Sequence, residues 1–352
     1  AYGAVTWGQF FVYQGFNEKC GWMHTSSRAD VIDYYLETIE EKEGKYYYKY
    51  GDEWKPIIEK EIVLKYKEED QMLEKKINAF YTQHGPVIRE QNGKWVSIRL
   101  MVEHEKALTQ SYMRTKAQSY EEFYETMKIR TNSSNNTVYA DANGNIAYFH
   151  GNFMPIRNEK FNWSGIVDGS DPETDWKGLH EIDEMIHILN PENGWIQNCN
   201  STPFTVAGEF SPKREDYPSY MAPDFQNFRG IHAERVLRNK SDFTIDNLRD
   251  AAYDSYLPAF EVYIPLLIKD YQKVSKLNSK MKANLAEPIR LLQNWDLRFS
   301  EESIETSLAV FWGHEMLKMA SSVDIAAGIS VYDYLAEGMP KENRIKALEL
   351  AI

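Results

Sequence analysis

Side-chain amides are concentrated in two stretches of this chain, and amides can stabilise a developing negative charge. The first stretch, residues 139–152, reads YADANGNIAYFHGN and predicts two short β-strands joined by an Asp-Ala-Asn-Gly turn. The second, residues 190–203, reads NPENGWIQNCNSTP and predicts a buried strand that leads into a loop with Asn198 and Asn200. Neutral donors at the end of a core strand suit the stabilisation of an oxyanion. The sequence therefore indicates an oxyanion site at this strand end.

The elements that must position these amides begin with a region rich in predicted β-structure, residues 1–240. Short aromatic and β-branched runs alternate there with turn residues and predict strands at 6–13, 21–26, 45–50, 55–67 and 95–102. Helices are predicted at 107–112 and 119–129. Ser119, with Glu122 three residues later, predicts a capping box at the start of the second helix.

The remaining residues, 241–352, are predicted to be mostly helical. Apolar residues recur there at three- and four-residue spacing in 245–252, 257–274, 285–292 and 304–319. Ser241 or Asp242 is the predicted N-cap of the first of these helices. Pro258, Pro265 and Pro288 are expected to start, kink or end helices. Since the chain starts within a predicted strand and stops within a predicted helix, we expect it to be a piece of a longer polypeptide, with its helical region cut at the C-terminus.

Composition excludes several classes of function. The 352 residues are 43% hydrophobic and 14% aromatic, as in a folded globular protein. A net charge of −13 argues against a nucleic-acid groove, which needs concentrated Lys and Arg. No apolar run approaches the roughly 20 residues of a membrane span. Glycine-rich phosphate loops are absent, and the sequence predicts no organic cofactor.

Four segments, taken in order, resemble the penicillin acylase family of N-terminal nucleophile hydrolases. They are GFNEKCGWMHTSSRADVIDYY at 15–35, TQHGPVI at 82–88, the strand pair with NPENGWIQNCNSTPF up to Phe204, and APDFQNFRGIHAERV at 222–236. The resemblance implies an α+β fold, a four-layer αββα sandwich. Residues 1–240 would form the β-rich part of that sandwich, present here only in part, and residues 241–352 a helical excursion.

The resemblance also implies a reaction, the hydrolysis of N-acyl amides such as β-lactam side chains or acyl-homoserine lactones. The family's nucleophile is an N-terminal Ser whose own α-amino group serves as base. This chain begins with Ala1, so the resemblance implies a Ser upstream of it and predicts that this chain alone is inactive. The alternative is a catalytically incomplete fragment or degenerate homologue that binds a ligand or partner.

Four residues match positions of the family's site. Ser26 resembles the residue whose main-chain N–H donates to the oxyanion, and Asn200 resembles the side-chain donor. Arg235 resembles an arginine that orders nucleophile and substrate, and His24 is a candidate for the lining of the acyl pocket. The alternatives are a strand-end residue for Ser26, a turn amide bound to local backbone for Asn200, a surface ion pair for Arg235, and a packed, hydrogen-bonded ring for His24.

A second set of residues is implied to hold a structural calcium ion. It comprises the carboxylates of Asp30, Asp33 and Asp224 and the main-chain carbonyl of Ile32, which are oxygen donors of the kind that Ca²⁺ prefers. The alternative for Asp30 is the N-cap of a helix that starts near Val31.

The expected partners follow from the same resemblance. They are a small N-acyl amide substrate and the remaining segments or chains of the same precursor, without nucleic acid and without a membrane span. A bacterial periplasmic or secreted location is implied by the resemblance alone, and it would suit a calcium site.

Overall fold

The computed structural model describes residues 1–9, 11–273, 279–326 and 328–352. The chain forms two compact units. Unit 1 comprises Ala1–Ile196 and Thr202–Asp224, and unit 2 comprises Gln197–Ser201 and Phe225–Ile352.

Unit 1 contains the β-structure of the described chain. Its strands are β1 Tyr2–Ala4, β2 Gln14–Phe16, β3 Cys20–Ser26, β4 Asp33–Glu37, β5 Ile39–Lys42, β6 Lys45–Tyr50, β7 Glu53–Pro56, β8 Ile58–Glu68, β9 Gln71–Thr82, β10 Gly85–Gln91, β11 Lys94–Arg99, β12 Asn135–Asp141, β13 Ile146–Phe149, β14 Ile166–Asp168 and β15 His187–Leu189.

These strands form two larger sheets and a small one. The first sheet has the order β1-β2-β3-β12-β13-β15, the second has the order β14-β4-β11-β10-β9-β8, and the small one is β5-β6-β7. One hydrophobic cluster contains Trp22, Tyr139 and Phe149 from the first sheet and Tyr35 and Val167 from the second. The two larger sheets therefore share a core, because alternate residues of their strands point to it.

The predicted hairpin at 139–152 is present as β12 and β13. Asp141 ends β12, and its carboxylate accepts hydrogen bonds from the main-chain N–H groups of Asn143 (2.9 Å) and Asn145 (3.0 Å). Gly144 takes a φ of +91°, which glycine adopts without steric cost. The turn residues therefore close the hairpin as their types predict.

Two strand predictions were wrong. Residues 6–13 do not form a strand where they are described: a turn at Trp7 and Gly8 (φ +89°) separates β1 from β2, and Phe10 lies outside the described residues. The chain folds back on itself, with the Tyr13 N–H donating to the Ala4 carbonyl at 2.9 Å. The strand predicted at 55–67 is two strands, since β7 ends at Pro56, which cannot donate to a ladder.

The described residues of unit 1 include two α-helices, α1 His104–Arg114 and α2 Tyr120–Met127. Ser119 is the N-cap of α2 as predicted, and its hydroxyl accepts from the Glu122 N–H at 3.2 Å. The predicted return bond of a capping box is displaced by one residue, because the Glu122 carboxylate accepts from the Gln118 N–H at 2.8 Å.

Unit 2 is helical, with α3 Phe228–Leu237, α4 Ile245–Ala252, α5 Pro258–Lys273, α6 Ser279–Asn294, α7 Ile304–Ala320, α8 Val331–Asp333 and α9 Lys341–Ala351, and a turn of π-helix at Tyr334–Gly338. Leu267, Leu292, Trp312 and Leu348 belong to its buried core, which shows that the predicted apolar periodicity marks packed helix faces. Val274, the last residue of one predicted helical segment, lies outside the described residues.

The N-cap of α4 and the positions of the prolines differ in part from the predictions. The cap of α4 is Thr244, which forms a capping box with Asn247, so the prediction of Ser241 or Asp242 was wrong. Pro258 starts α5 as one of the expected alternatives, whereas Pro265 and Pro288 lie inside α5 and α6. Among the described helices, none is long and apolar enough to cross a membrane.

Candidate active site

Ser26 is the last residue of β3, as its predicted place at a strand end requires. It lies opposite Asn135 of β12, and its carbonyl oxygen accepts from the Asn136 side-chain amide at 3.4 Å. The next residue, Ser27, donates its N–H to the Ser134 carbonyl at 2.9 Å. Backbone pairing therefore fixes the end of β3 in unit 1.

His24 lies two residues earlier on the same strand. Its Nδ1 is 3.2 Å from the Asn136 carbonyl oxygen and 3.1 Å from the Thr137 hydroxyl, and its ring packs on Tyr13 with centroids 4.6 Å apart. Burial, and then the nearby Arg114 charge, lower the pKa of His24 to about 3. The imidazole is therefore neutral near pH 7, which suits a packed or pocket-lining ring.

Asn200 lies in a turn of unit 2 that side-chain amides hold together. Its main-chain N–H donates to the Asn198 side-chain oxygen at 3.1 Å, and the Asn198 amide donates to the Ser201 carbonyl at 3.1 Å. The Asn227 amide donates to the Cys199 carbonyl at 3.0 Å. With a φ of +56°, Asn200 has the left-handed conformation that asparagine tolerates better than most residues.

The predicted buried strand leading to this turn is absent. Strand β15 ends at Leu189, and residues 190–202 form turns and irregular structure. Pro191 and the positive φ of Gly194 (+72°) explain why the apolar residues that follow do not join the sheet. Asn200 is therefore positioned by side-chain bonds and not by a strand end.

The Asn200 carboxamide contacts the side chain of Arg229. The Arg229 Nη2 donates to the Asn200 side-chain oxygen at 3.0 Å. A charged donor at the oxygen withdraws electrons from the amide and makes its NH₂ group a stronger donor. The NH₂ group of Asn200 is therefore suited to donate a hydrogen bond.

Arg235 lies in the last turn of α3. Its Nη2 is 2.6 Å from the Glu261 carboxylate, and its guanidinium lies 4.7 Å from the Tyr256 ring centroid. The two charged side chains are 44% and 49% exposed, so this ion pair contributes little to stability. The geometry within unit 2 agrees with the surface-pair alternative, and a role for Arg235 toward substrate stays a prediction.

The predicted calcium ligands divide into two environments within unit 1. Asp33 begins β4, is 1% exposed and accepts from Arg157 Nε at 2.8 Å and from the Trp176 indole N–H. The main-chain carbonyl of Asp30 accepts from Arg157 Nη1 at 2.6 Å. No helix begins near Val31 in this described segment, so the cap alternative for Asp30 was wrong.

Asp224, the third predicted carboxylate ligand, has other neighbours. It accepts a hydrogen bond from the Arg28 main chain, and its Oδ2, which has no hydrogen-bond partner in the described residues, is 3.6 Å from His150 Nε2. Burial raises the pKa of Asp224 to about 6, although the Arg28 bond opposes the shift. The carboxylate is therefore ionised above neutral pH.

The side chains of the described residues do not by themselves form a complete set of metal ligands. In the described ranges, no three His, Cys, Asp or Glu side chains come together in a group that could hold a metal. Asp30 lines a cavity of about 240 Å³ with Glu159 and Ser164, but neither Asp33 nor Asp224 is among the described residues that line it. The side chain of Ile32 is exposed. Asp33 Oδ1 and Asp224 Oδ2 are buried without a hydrogen-bond partner in the described residues, and calcium binding by Asp30, Ile32, Asp33 and Asp224 stays a prediction.

Sequence reasoning missed Arg157 and Arg229. Both lie far along the chain from the groups they bind, 124 residues for Arg157 and Asp33 and 29 residues for Arg229 and Asn200. No periodic pattern shows which distant group an isolated arginine will bind. The presence of Arg229 in the APDFQNFRGIHAERV segment was the one available signal.

Comparison with known proteins identifies the fold. The chain superposes on the thermostable penicillin G acylase from Alcaligenes faecalis with a TM-score of 0.72 at 19% sequence identity, covering 99% of this chain and 69% of that one. The prediction of an α+β N-terminal nucleophile hydrolase fold is therefore confirmed.

Two curated relatives are similar in sequence. Penicillin G acylase of Escherichia coli is 26% identical over 270 residues, which is 70% of this chain and 28% of that protein. Acyl-homoserine lactone acylase QuiP of Pseudomonas fluorescens is 26% identical over 211 residues, 57% of this chain and 25% of that protein. The chain thus matches about a quarter of the length of each relative.

The family model for penicillin amidase matches residues 1–348, almost the whole chain. The resemblance seen in the four sequence segments is thereby confirmed. This chain belongs to the penicillin amidase family.

Proposed function

We propose that the polypeptide containing this chain is an amidohydrolase that cleaves N-acyl amides through a covalent acyl-enzyme. The observation that carries the proposal is the match to the penicillin amidase model over residues 1–348. Two similar proteins are named as acylases of penicillin G and of acyl-homoserine lactones. The substrate class shared by these names is a small molecule with an acyl group on an amide nitrogen.

The proposed nucleophile is a Ser that precedes Ala1 in the full polypeptide. Its hydroxyl attacks the amide carbonyl while its own α-amino group accepts the proton, and the proton then passes to the leaving amine. Water attacks the resulting ester, releases the carboxylic acid and restores the hydroxyl. The remaining segments or chains of the same precursor are therefore partners that this proposal requires.

Stabilisation of the tetrahedral oxyanion is assigned to Ser26 and Asn200. Ser26 would donate its main-chain N–H, and Asn200 would donate its side-chain NH₂. The Arg229 bond at 3.0 Å supports this role for Asn200, because it holds the amide oxygen and polarises the group toward donation. Arg235 would order substrate from α3, and His24, which is neutral near pH 7, would line the acyl pocket.

The location of the full protein is also a proposal. The two relatives similar in sequence come from Escherichia coli and Pseudomonas fluorescens, both bacteria. We expect a periplasmic or secreted enzyme, and fractionation of cells that produce the full-length protein would test this expectation.

The experiment uses the full-length protein with Asn200→Ala and a chromogenic N-acyl nitroanilide. Loss of one oxyanion donor should lower kcat by about 10²–10³-fold with a smaller effect on KM, because the donor acts mainly on the transition state. Asn193→Ala is the matched control: this carboxamide, which precedes Asn200 in the same sequence segment, donates to the Ala207 carbonyl at 2.9 Å, and its loss should change kcat only a few-fold.

Unchanged turnover in Asn200→Ala would show that the oxyanion role is wrong. A full-length protein that binds N-acyl amides but releases no nitroaniline would instead favour the ligand-binding module. A comparison of phenylacetyl and longer linear acyl nitroanilides would then separate the two substrate types suggested by the relatives.

A further inference from the structure

A polar cavity of about 350 Å³ lies in unit 1 between helix α1 and residues 131–135. Hydroxyl and carboxamide side chains line much of it, among them Ser111 of α1 and Ser134 and Asn135 beside β12. No Asp or Glu is among the described residues that line it, although the whole chain has a net charge of −13. The described wall of the cavity therefore carries no negative charge that would repel an anion.

Arg114, the last residue of α1, brings a positive charge to this cavity and is 2% exposed. Its Nη2 donates to the Ser111 hydroxyl at 3.2 Å, and its guanidinium lies 5.9 Å from the Tyr13 ring centroid. Its Nε is buried without a hydrogen-bond partner, and no carboxylate pairs with it in the described ranges. Burial lowers the pKa of Arg114 to about 10, so the side chain is still a cation at neutral pH.

Three arginines among the described residues are almost fully buried, and the other two have carboxylate partners. Arg157 Nε is 2.8 Å from Asp33, and Arg344 Nε is 2.7 Å from Asp270. An unpaired buried charge destabilises a fold, because the protein interior solvates it poorly. The charge of Arg114 therefore calls for a negative group from outside the described chain, and the cavity beside it offers the space for one.

Two hydroxyl groups add donors beside this guanidinium. The Tyr13 oxygen accepts from the Asn135 amide at 2.7 Å, which leaves the phenolic O–H to donate. The Ser111 oxygen accepts from Arg114 in the same way, which leaves its O–H to donate. A carboxylate accepts several hydrogen bonds at once and fits the planar fork of arginine. The donors therefore suit a carboxylate.

The cavity also borders the groups assigned to the reaction in unit 1. Asn135, which lines it, lies opposite Ser26 in the ladder between β12 and β3. The carbonyl of Ser134, another lining residue, accepts from the N–H of the residue after Ser26 at 2.9 Å. The Tyr13 ring packs on that of His24, the candidate for the acyl pocket, with centroids 4.6 Å apart. A ligand in the cavity would therefore lie next to the proposed acyl pocket.

We propose that this cavity binds a carboxylate carried by the acyl group of the substrate, so that the preferred substrates are monoamides of dicarboxylic acids. The proposal rests on the amidohydrolase function and narrows its substrate class. The distal carboxylate pairs with Arg114, while the acyl carbonyl lies at the end of β3. Water adds across the amide bond, and the products are a dicarboxylate and the free amine.

Direct binding to the full-length protein is the first test, with glutarate as probe and the uncharged diamide glutaramide as its neutral counterpart. By calorimetry, the wild type should bind glutarate saturably and glutaramide at least about 10-fold more weakly, since the charged hydrogen bonds are lost. Arg114→Met should weaken glutarate binding by about 10–100-fold. The control is Arg89→Met, which also removes a guanidinium near a tyrosine ring (5.7 Å from Tyr34) but is exposed and not among the lining residues. It should keep wild-type affinity.

Turnover is the second test, with glutaryl nitroanilide and its glutaramyl analogue, which differ only in the terminal carboxylate or carboxamide. The wild type should prefer the glutaryl compound by about 10–100-fold in kcat/KM. Most of this preference should appear in KM, because the pairing with Arg114 is the same in ground state and transition state. Arg114→Met should remove the preference, and Arg114→Lys, which keeps the charge without the fork, should retain part of it.

The stability of Arg114→Met checks that it is folded. Without ligand, its Tm should equal or exceed that of the wild type, because the substitution removes an unpaired buried charge. If the variant does not fold, the wild-type comparisons of glutarate with glutaramide and of the two nitroanilides decide the question.

Several results would overturn the proposal. They are the absence of glutarate binding, binding that is equally strong in Arg114→Met, and equal turnover of the two nitroanilides. Inorganic phosphate that binds as tightly as glutarate, together with equal turnover, would show a site for free anions only. Failure of the amidohydrolase function looks different: neither nitroanilide nor a phenylacetyl nitroanilide would be cleaved, while glutarate would still bind and depend on Arg114. That result would refute the assignment of the carboxylate to a substrate.

Discussion

Strand β4 carries a buried carboxylate at each end, and the two ends are neutralised in different ways. Asp33 and Glu37 are 1% and 0% exposed, and both lie on the inward face with Tyr35 between them. At the first end the partner is the guanidinium of Arg157. At the second end it is the imidazole of His84. The strand therefore offers a comparison between a permanent and a titratable cation.

The Glu37 end is a dense hydrogen-bond network. One carboxylate oxygen accepts from the hydroxyls of Thr82 (2.7 Å) and Ser97 (2.6 Å) and lies 2.8 Å from His84 Nδ1. The other nitrogen of His84 is 3.2 Å from Asp175. The imidazole is thus held between two carboxylates, which stabilise its protonated form.

The position of His84 depends on its neighbours in the chain and in space. Its ring stacks on Tyr35 with centroids 3.9 Å apart and an interplanar angle of 3°. Gly85 has a φ of +136°, and a Cβ there would lie 2.1 Å from the Ile98 carbonyl oxygen. Only glycine fits this approach of β10 to β11, so the HG pair in TQHGPVI is a packing requirement.

The comparison shows that the two ends respond differently to pH. Burial lowers the pKa of His84, but its hydrogen bonds to Asp175 and Glu37 together raise it above the ordinary value. A raised folded-state pKa gives a stabilisation that is complete below the unfolded value of about 6.5 and is lost as pH rises through the folded pKa. At the arginine end the cation does not titrate in this range, and the groups that titrate are the carboxyls: burial raises the pKa of Asp30 to about 6 and that of Asp33 above its ordinary value.

The largest effect should follow from breaking the arginine end. Asp33→Ala leaves Arg157 buried without its carboxylate, and we expect the free energy of unfolding to fall by about 3–5 kcal/mol. Urea denaturation at pH 8, above the Asp30 pKa of about 6, should measure this loss. Asp33→Asn combined with Arg157→Met should recover part of the loss of Arg157→Met alone, and a strictly additive double variant would contradict the pairing.

An intermediate effect is expected from Glu37→Gln. The substitution keeps the shape but removes the charge that three donors share, and the free energy of unfolding should fall by about 1.5–3 kcal/mol. Glu40→Gln on β5 is the control: its partner is the half-exposed Lys42, and the change should be within about 0.5 kcal/mol. Equal losses in the two variants would argue against a structural role for the network.

The smallest expected effect is a change in how the free energy of unfolding depends on pH. This effect tests the comparison between the two ends of β4 directly. Wild-type free energy of unfolding should fall as pH rises above about 6.5, through loss of the His84 proton. His84→Gln should lack this decrease, while the exposed His104→Gln should retain it. A His84→Gln profile parallel to that of the wild type would show that the imidazole is not the titrating group.

Several local features could be predicted because neighbouring residues determine them. The turn at 141–144, the cap at Ser119 and the helices after residue 244 follow from turn, capping and periodicity rules. The two wrong strand predictions also have causes in neighbouring residues. A turn at Gly8 overrode the β-propensity of residues 6–13, and Pro56 ended a strand that side-chain types alone would have continued.

The candidate site could be predicted only in part. The residues Ser26, Asn200, Arg235, His24 and the four calcium candidates were selected by resemblance, and their roles stay predictions. The structure adds the side chains that orient them, above all Arg229 at Asn200 and Arg157 at Asp33. Such partners carry no local signal, since a hydrogen bond between distant residues depends on how the sheets and loops pack.

The sequence by itself determined the family, the fold class and most of the local elements, because turns, caps and apolar spacing act over a few residues. Only the tertiary structure decided which cation faces each buried carboxylate of β4. Arg157 lies 124 residues from Asp33, and His84 lies 47 residues from Glu37. An unpaired buried carboxylate would destabilise the fold, so each carboxylate lies beside a positively charged side chain. Which residue supplies that side chain depends on how the strands and loops pack.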